Sequence, residues 1–215
     1  MLRNLWCVLM LLLSSLLQAS QNNALPAHLR VALSNDSYPY MFVDEYGNPA
    51  GLVVDFWQQV AKQQQIELEF VAVDWPESLQ LLAERKVDFH GGLGVTPARA
   101  RQFLLGQGYL ELTSNVFVHR DLSRVTSLAD LRPLVVGTVA DATHSEILRR
   151  LLPGITLKTY PHASALYQAA LAGEIQAFTG LDRLPPRYPE FEQLELLFPM
   201  YKKVPLQQIQ LTFAA

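Results

Sequence analysis

Apolar and polar positions alternate along this chain in two rhythms, and their order predicts the fold class. Leu29 to Leu33 (LRVAL) is a short β run broken by the turn-rich stretch SNDSYPY. After a GN turn, apolar residues recur at Leu52, Phe56, Val60 and Ala61, the spacing of a helix face, so a helix is expected to about Gln65. Ile66 to Val73 alternates as a strand does. PESLQLLAERK then begins with Pro76 near a first helical position and sets Leu79, Leu82 and Ala83 on one face, and Val87 to Phe89 is a short third strand. Strand, helix, strand, helix, strand is the pattern of a parallel α/β sheet with right-handed crossovers. In such sheets ligands gather beyond the carboxyl ends of the strands, where SNDSYPY and HGGLGVTPAR are both expected as loops.

The second half repeats the theme. SNVFVH, SLADLRP and LVVGTV lead to a helix through HSEILRRLL, a strand ITLKTY, a helix ASALYQAALAG and a strand IQAFTG. The polar connection from Phe117 to Ser127 is where a boundary would fall, and Ile209 to Phe213 is a final strand. A first α/β lobe is therefore expected over residues 28–118, a second over 119–208, and a return strand over 209–215.

The beginning of the chain follows neither rhythm. Arg3 precedes an almost unbroken apolar run from Leu5 to Leu17, ending in the small pair Ala19-Ser20, so residues 1–20 are expected to be a secretory signal peptide. The run is shorter than the ~20 residues that span a bilayer, although an uncleaved anchor stays open. Cys7, the single cysteine, lies inside it. A mature chain without cysteine has neither a disulfide frame nor a thiol nucleophile, and export of this kind points to the periplasm.

Composition narrows the partners. With 215 residues, 50% of them hydrophobic, the chain can bury a core; a net charge of -3 without a dense basic block removes the electrostatic basis of nucleic-acid binding. The five histidines are scattered and form no HExxH pair, so neither a metal nor another cofactor is expected. His90 and His144 stand apart, because they flank the expected ligand loops and would make a contact sensitive to pH. Trp57 and Trp75 read as core aromatics.

The stretch HGGLGVTPARAR, His90 to Arg101, carries the main candidate chemistry. A nucleotide-binding G-x-G-x-x-G is broken, since Pro97 occupies the last glycine position and no Walker lysine follows. Thr96-Pro97 marks a helix start, with the threonine as N-cap. Arg99 then falls in the first turn, against the positive end of the helix dipole, a placement that an anion would relieve. A guanidinium offers paired donors to a carboxylate and the glycines free N–H groups; the alternative is a surface arginine on a capped helix.

Taken together, LRVALSNDSYPY, GLVVDFWQQVAK, DWPESLQLLAERKVDFHGGLGVTPARARQF, SLADLRPLVVGTV and LAGEIQAF resemble the bacterial family 3 solute-binding proteins, over about Leu29 to Phe213. The resemblance implies an α/β, two-lobed type II periplasmic-binding fold whose lobes close on a small solute. It also implies that residues completing the first lobe follow Ala215 in family members, so a truncated chain is expected. Arg99 stands where the family grips a carboxylate and Tyr38 where an aromatic walls the ligand. Gly92, Leu93 and Gly94 fall on the ligand-facing segment, Ala142 and Thr143 at the second-lobe helix start, and Asn35 where the family has an acid. Asp141 replaces a glycine, and Gln176 and Leu181 occupy the positions of the ammonium-binding acid, leaving Asp182 one residue late.

The expected function is periplasmic binding of a small carboxylate-bearing solute, amino-acid-like or an organic acid, by a monomer that serves an ABC-type permease or a transmembrane signalling protein. The alternative is an enzyme on the same fold, of the prephenate or arogenate dehydratase or lytic transglycosylase-associated kind; Asp44, Glu45 and Asp182 are its candidate carboxylates, although no spacing pairs them as acid and base. A third reading is an interaction fragment without ligand.

Overall fold

The fold is seen in a computed structural model that describes residues 26–181 and 201–215; the expected signal peptide, Asp182 and the tract 185–193 lie outside the described residues. The first half forms β1 (His28–Ser34), β2 (Asp36–Ser37), β3 (Met41–Val43), β4 (Pro49–Ala50), α1 (Leu52–Gln64), β5 (Glu67–Val73), α2 (Trp75–Ala83), β6 (Phe89–Gly94) and α3 (Pro97–Gln102). Then come β7 (Leu110–His119), a 3-10 turn (Leu128–Leu131), β8 (Val135–Val139), α4 (Thr143–Leu151), β9 (Thr156–Tyr160), α5 (Ala163–Leu171), β10 (Ala177–Leu181) and β11 (Tyr201–Ala214).

Eight strands make one sheet in the order β5-β1-β6-β11-β7-β10-β8-β9, and β2, β3 and β4 form a small second sheet. Each end of the large sheet is parallel: β1 lies between β5 and β6, and β8 between β9 and β10. The middle is antiparallel, with β11 paired to β6 and β7, and β7 to β10. Parallel units with helical crossovers thus build the two lobes, and β7 and β11 link them.

Several elements depart from the sequence reading. The third strand is Phe89–Gly94, not Val87 to Phe89, so the glycines form a buried strand and not a loop. The cause is close approach: a Cβ on Gly91 would lie 2.7 Å from Leu33 Cδ2 and 3.3 Å from Trp57 Cδ1. The last strand begins at Tyr201, well before Ile209, because Pro205 sits at a register shift, where a missing N–H is tolerated.

Helix faces shift as well. On α1 the buried stripe is Val53, Val54 and Ala61, while Leu52 and Phe56 remain exposed. Phe56 instead stacks on Tyr109, centroids 4.4 Å apart. On α2 it is Ser78 and Leu82 that are buried, not Ala83, since the Ser78 hydroxyl donates to the Trp75 carbonyl at 2.7 Å and meets His90 Nε2 at 3.1 Å.

The core has a part in each lobe. Leu82, Val87 and Leu93 pack with Ala32 and Ala214 in the first, and Phe117 stacks on Phe178 among Leu166, Tyr167 and Tyr201 in the second. A further cluster, including Val31, Val116, Val136, Ile209 and Leu211, runs across both.

Candidate functional site

Where the lobes meet, β6 and β11 from one side face α4, α5 and β10 from the other around a cavity of about 110 Å³. Its walls are largely apolar, with Met41, Leu112, Leu166, Ile209 and Leu211 among them, joined by Tyr38, Tyr40, Trp75 and Tyr167. Asp36, Ser37, Thr143, His144 and Thr179 are the polar residues in the lining.

Of the residues expected at the site, Tyr38, Gly92, Gly94, Ala142 and Thr143 line this cavity. Leu93 does not: strand alternation turns it into the first-lobe core, where it is fully buried. Asn35 is also turned aside, its amide donating to Asp74 Oδ1 at 3.1 Å. Asp182 lies outside the described residues.

Arg99 sits behind the cavity wall and not in it, lining a neighbouring cleft. Its side chain is only 6% exposed. Thr96 caps α3 by accepting from the Arg99 N–H at 3.2 Å, with Pro97 next. The guanidinium leaves this short helix and reaches back across the lobe boundary. Nη1 donates to the Gly94 carbonyl (2.8 Å) and the Thr143 hydroxyl (2.6 Å), Nη2 donates to the Asp141 carbonyl (2.7 Å), and the group lies 5.0 Å from the Trp75 ring centroid. Burial lowers its pKa to about 10, opposed by the charges of Glu146 and Asp141, so the cation persists at neutral pH. Thr96→Ala removes the cap that starts this turn and is expected to cost about 1 kcal/mol, read as a lower denaturant midpoint at unchanged m-value.

The local backbone makes this arrangement possible. Asp141, where the family pattern has glycine, holds φ at +54°, a left-handed conformation that aspartate tolerates better than most residues. Its carbonyl accepts from both Arg99 and the Trp75 indole (3.1 Å). A Cβ on Gly94 would lie 2.8 Å from Thr143 Oγ1 and 2.7 Å from Ile209 Cγ2, so only glycine lets the second-lobe helix come this close.

Both histidines noted above are neutral, for physical reasons. His90 is fully buried, its Nδ1 accepts from the Gly92 N–H at 3.1 Å, and its Nε2 proton therefore points to Ser78. Burial, helped by the Arg99 charge, lowers its pKa to about 3. His144 lines the cavity, and the same two causes lower it to about 4; its buried Nε2 has no hydrogen-bond partner among the described residues.

Sequence reasoning missed several wall residues, Trp75 and Asp36 among them. Trp75, expected in the core, lines the cavity and joins the lobes through Asp141. Asp36 lines it too, and its neighbours in SNDSYPY carried no signal that would have separated it from Asn35. Asp44, by contrast, is occupied in the turn before β4, accepting from the N–H groups of Tyr46 (2.9 Å) and Asn48 (2.8 Å).

Known proteins share this architecture. Among solved structures, an ancestral arginine-binding protein bound to glutamine superposes with a TM-score of 0.74 at 21% identity, covering 89% of this chain and 84% of its own. A histidine kinase sensor domain with similarity to periplasmic binding proteins also gives 0.74, at 22% identity, covering 87% and 82%. In sequence, the L-cystine-binding protein TcyJ of Escherichia coli is 25% identical over 158 residues, 73% of this chain. The chain matches 59% of that relative's length. Residues 29–205 match a single family model along the lobes and linking strands just described, and the chain belongs to the bacterial extracellular solute-binding proteins, family 3.

Proposed function

We propose that this chain binds a small carboxylate-bearing solute, amino-acid-like or an organic acid, in the cleft between its lobes. The carrying observation is Arg99: a buried cation whose donors rest on neutral oxygens, two of them from the second lobe. A buried guanidinium is best compensated by a carboxylate, which pairs with it bidentately. As the lobes open and reclose, a ligand carboxylate takes the place of the Thr143 and Asp141 oxygens. Gly92, Gly94, Ala142 and Thr143 then frame it, Tyr38 walls the body of the ligand, and Leu93 contributes backbone only.

Lobe 1 is taken as residues 28–118 and lobe 2 as 119 onward, with the return strand starting at Tyr201. The work is binding, without turnover, as the name of the L-cystine-binding relative supports. The place is the periplasm, reached through the apolar leader, and the partner is an ABC-type permease or a signalling protein.

A thermal-shift screen of amino acids and small organic acids tests this reading. A ligand at about ten times its Kd is expected to stabilise the protein by roughly 1.4 kcal/mol, seen as a raised Tm. A screen in which no carboxylate raises Tm sinks the proposal.

A further inference from the structure

We infer that the cavity selects a solute whose body is a short, uncharged aliphatic or thioether chain of about four or five non-hydrogen atoms. The inference rests on the binding reading above and names the part of the ligand that Arg99 does not hold.

Size sets the first limit. The cavity holds about 110 Å³. An apolar protein cavity of about 150 Å³ accepts benzene, with its six carbons, so by proportion this one takes about four or five heavy atoms. Long cationic side chains and aromatic rings exceed it.

Polarity sets the second. Met41 from lobe 1, Leu166 from lobe 2, and Leu112, Ile209 and Leu211 from the linking strands line the cavity, and all five are buried. The polar residues of the lining are turned to the protein itself. Ser37 Oγ donates to Ser34 Oγ at 3.0 Å and Thr179 Oγ1 to Thr138 Oγ1 at 3.2 Å. The Thr143 hydroxyl lies with Arg99, at the end where the carboxylate goes. Asp36 accepts from Ser34 Oγ at 2.7 Å, and the backbone N–H of Ala163 points toward it from the start of α5, where the helix dipole shares its charge. His144, another lining residue, keeps a buried Nε2 without a partner among the described residues; its ring is neutral, so it can take one hydrogen bond and offers no charge.

A charged or amide end would therefore leave water for walls that hold little to match it. A short apolar chain loses nothing there and buries its own surface against five aliphatic side chains. Tyr38, Tyr40, Trp75 and Tyr167, in the same lining, add ring contacts that suit a thioether sulfur.

The test titrates the purified full chain calorimetrically with pairs of L-amino acids matched in shape: leucine with asparagine, methionine with glutamine, norleucine with lysine. The apolar member of each pair is expected to bind about tenfold or more tightly than its polar partner. From alanine to norvaline, affinity is expected to rise roughly three- to fivefold for each added methylene, and to fall at phenylalanine. Leu166→Ala and Ile209→Val are expected to move that turning point to longer chains while leaving the affinity for alanine as in the wild type. Ile209→Val deletes a single methyl group, and it decides the comparison if Leu166→Ala does not fold.

Asparagine, glutamine or lysine binding as tightly as its apolar partner overturns the inference and leaves the carboxylate reading standing. Affinity that goes on rising through phenylalanine also overturns it. So do variants that weaken the whole series by one factor, because that is what purely structural residues would do. Alkyl alcohols and amines that bind with the same size limit, indifferent to Arg99→Ala, keep the inference and sink the carboxylate reading. A series in which nothing binds overturns both.

Discussion

Arg99→Ala is expected to weaken ligand binding by roughly 30-fold to several thousand-fold, the equivalent of about 2–5 kcal/mol for truncating one partner of a buried, hydrogen-bonded charge pair. The size follows from burial, since the guanidinium is only 6% exposed and its pairing with a carboxylate is poorly screened by solvent. Fold stability is expected to move much less, because deletion of the side chain also removes a desolvated charge that rests on carbonyl and hydroxyl oxygens. Arg99→Lys is not expected to restore affinity: three acceptors spread over Gly94, Asp141 and Thr143 match a planar fork and not a single ammonium. Calorimetric titration of the three proteins checks this, and an Arg99→Ala variant that binds like the wild type sinks the assignment.

Gly94→Val is expected to weaken binding by about 5- to 150-fold, the 1–3 kcal/mol that overpacking a close contact costs, and also to lower the melting temperature without ligand, because the Ile209 contact lies within the sheet and persists when the lobes part. A branched side chain there meets Thr143 across the lobe boundary and Ile209 on the neighbouring strand. The Thr143 clash exists only when the lobes are together, so the open form escapes it. Small-angle scattering of the variant with and without saturating ligand would show an open shape in both states. Compaction equal to that of the wild type would place the closing surface elsewhere.

Much of the fold was legible because local pattern and tertiary structure agree. The alternation of Ile66 to Val73, the Pro76 start and the amphipathic rhythm of HSEILRRLL each became the expected element. What misled was glycine and proline. HGGLG reads as a loop because turns favour glycine, yet here glycine serves to let Leu33, Trp57 and Tyr109 approach a buried strand. Pro205 likewise hid the first part of β11, which a bulge accommodates. The cap at Thr96 was readable, but the direction of Arg99 was not, because its acceptors lie more than forty positions away in Asp141 and Thr143. Asp36 escaped for a similar reason: one sequence position separates it from Asn35, and only the strand geometry decides which of the two faces the cavity.

The place of β11 has a consequence for how the molecule is assembled. This strand follows β8, β9 and β10 in the sequence, yet it lies between β6 and β7, which precede them. Until residues 201–214 arrive, the middle of the sheet is a slot, and the hydrogen-bonding edges that β6 and β7 turn toward it stay unfilled. Long-range pairing of this kind closes slowly, and an open slot accepts strands from other copies as readily as its own. A chain cut before Tyr201 is thus expected to aggregate, measured as light scattering on refolding.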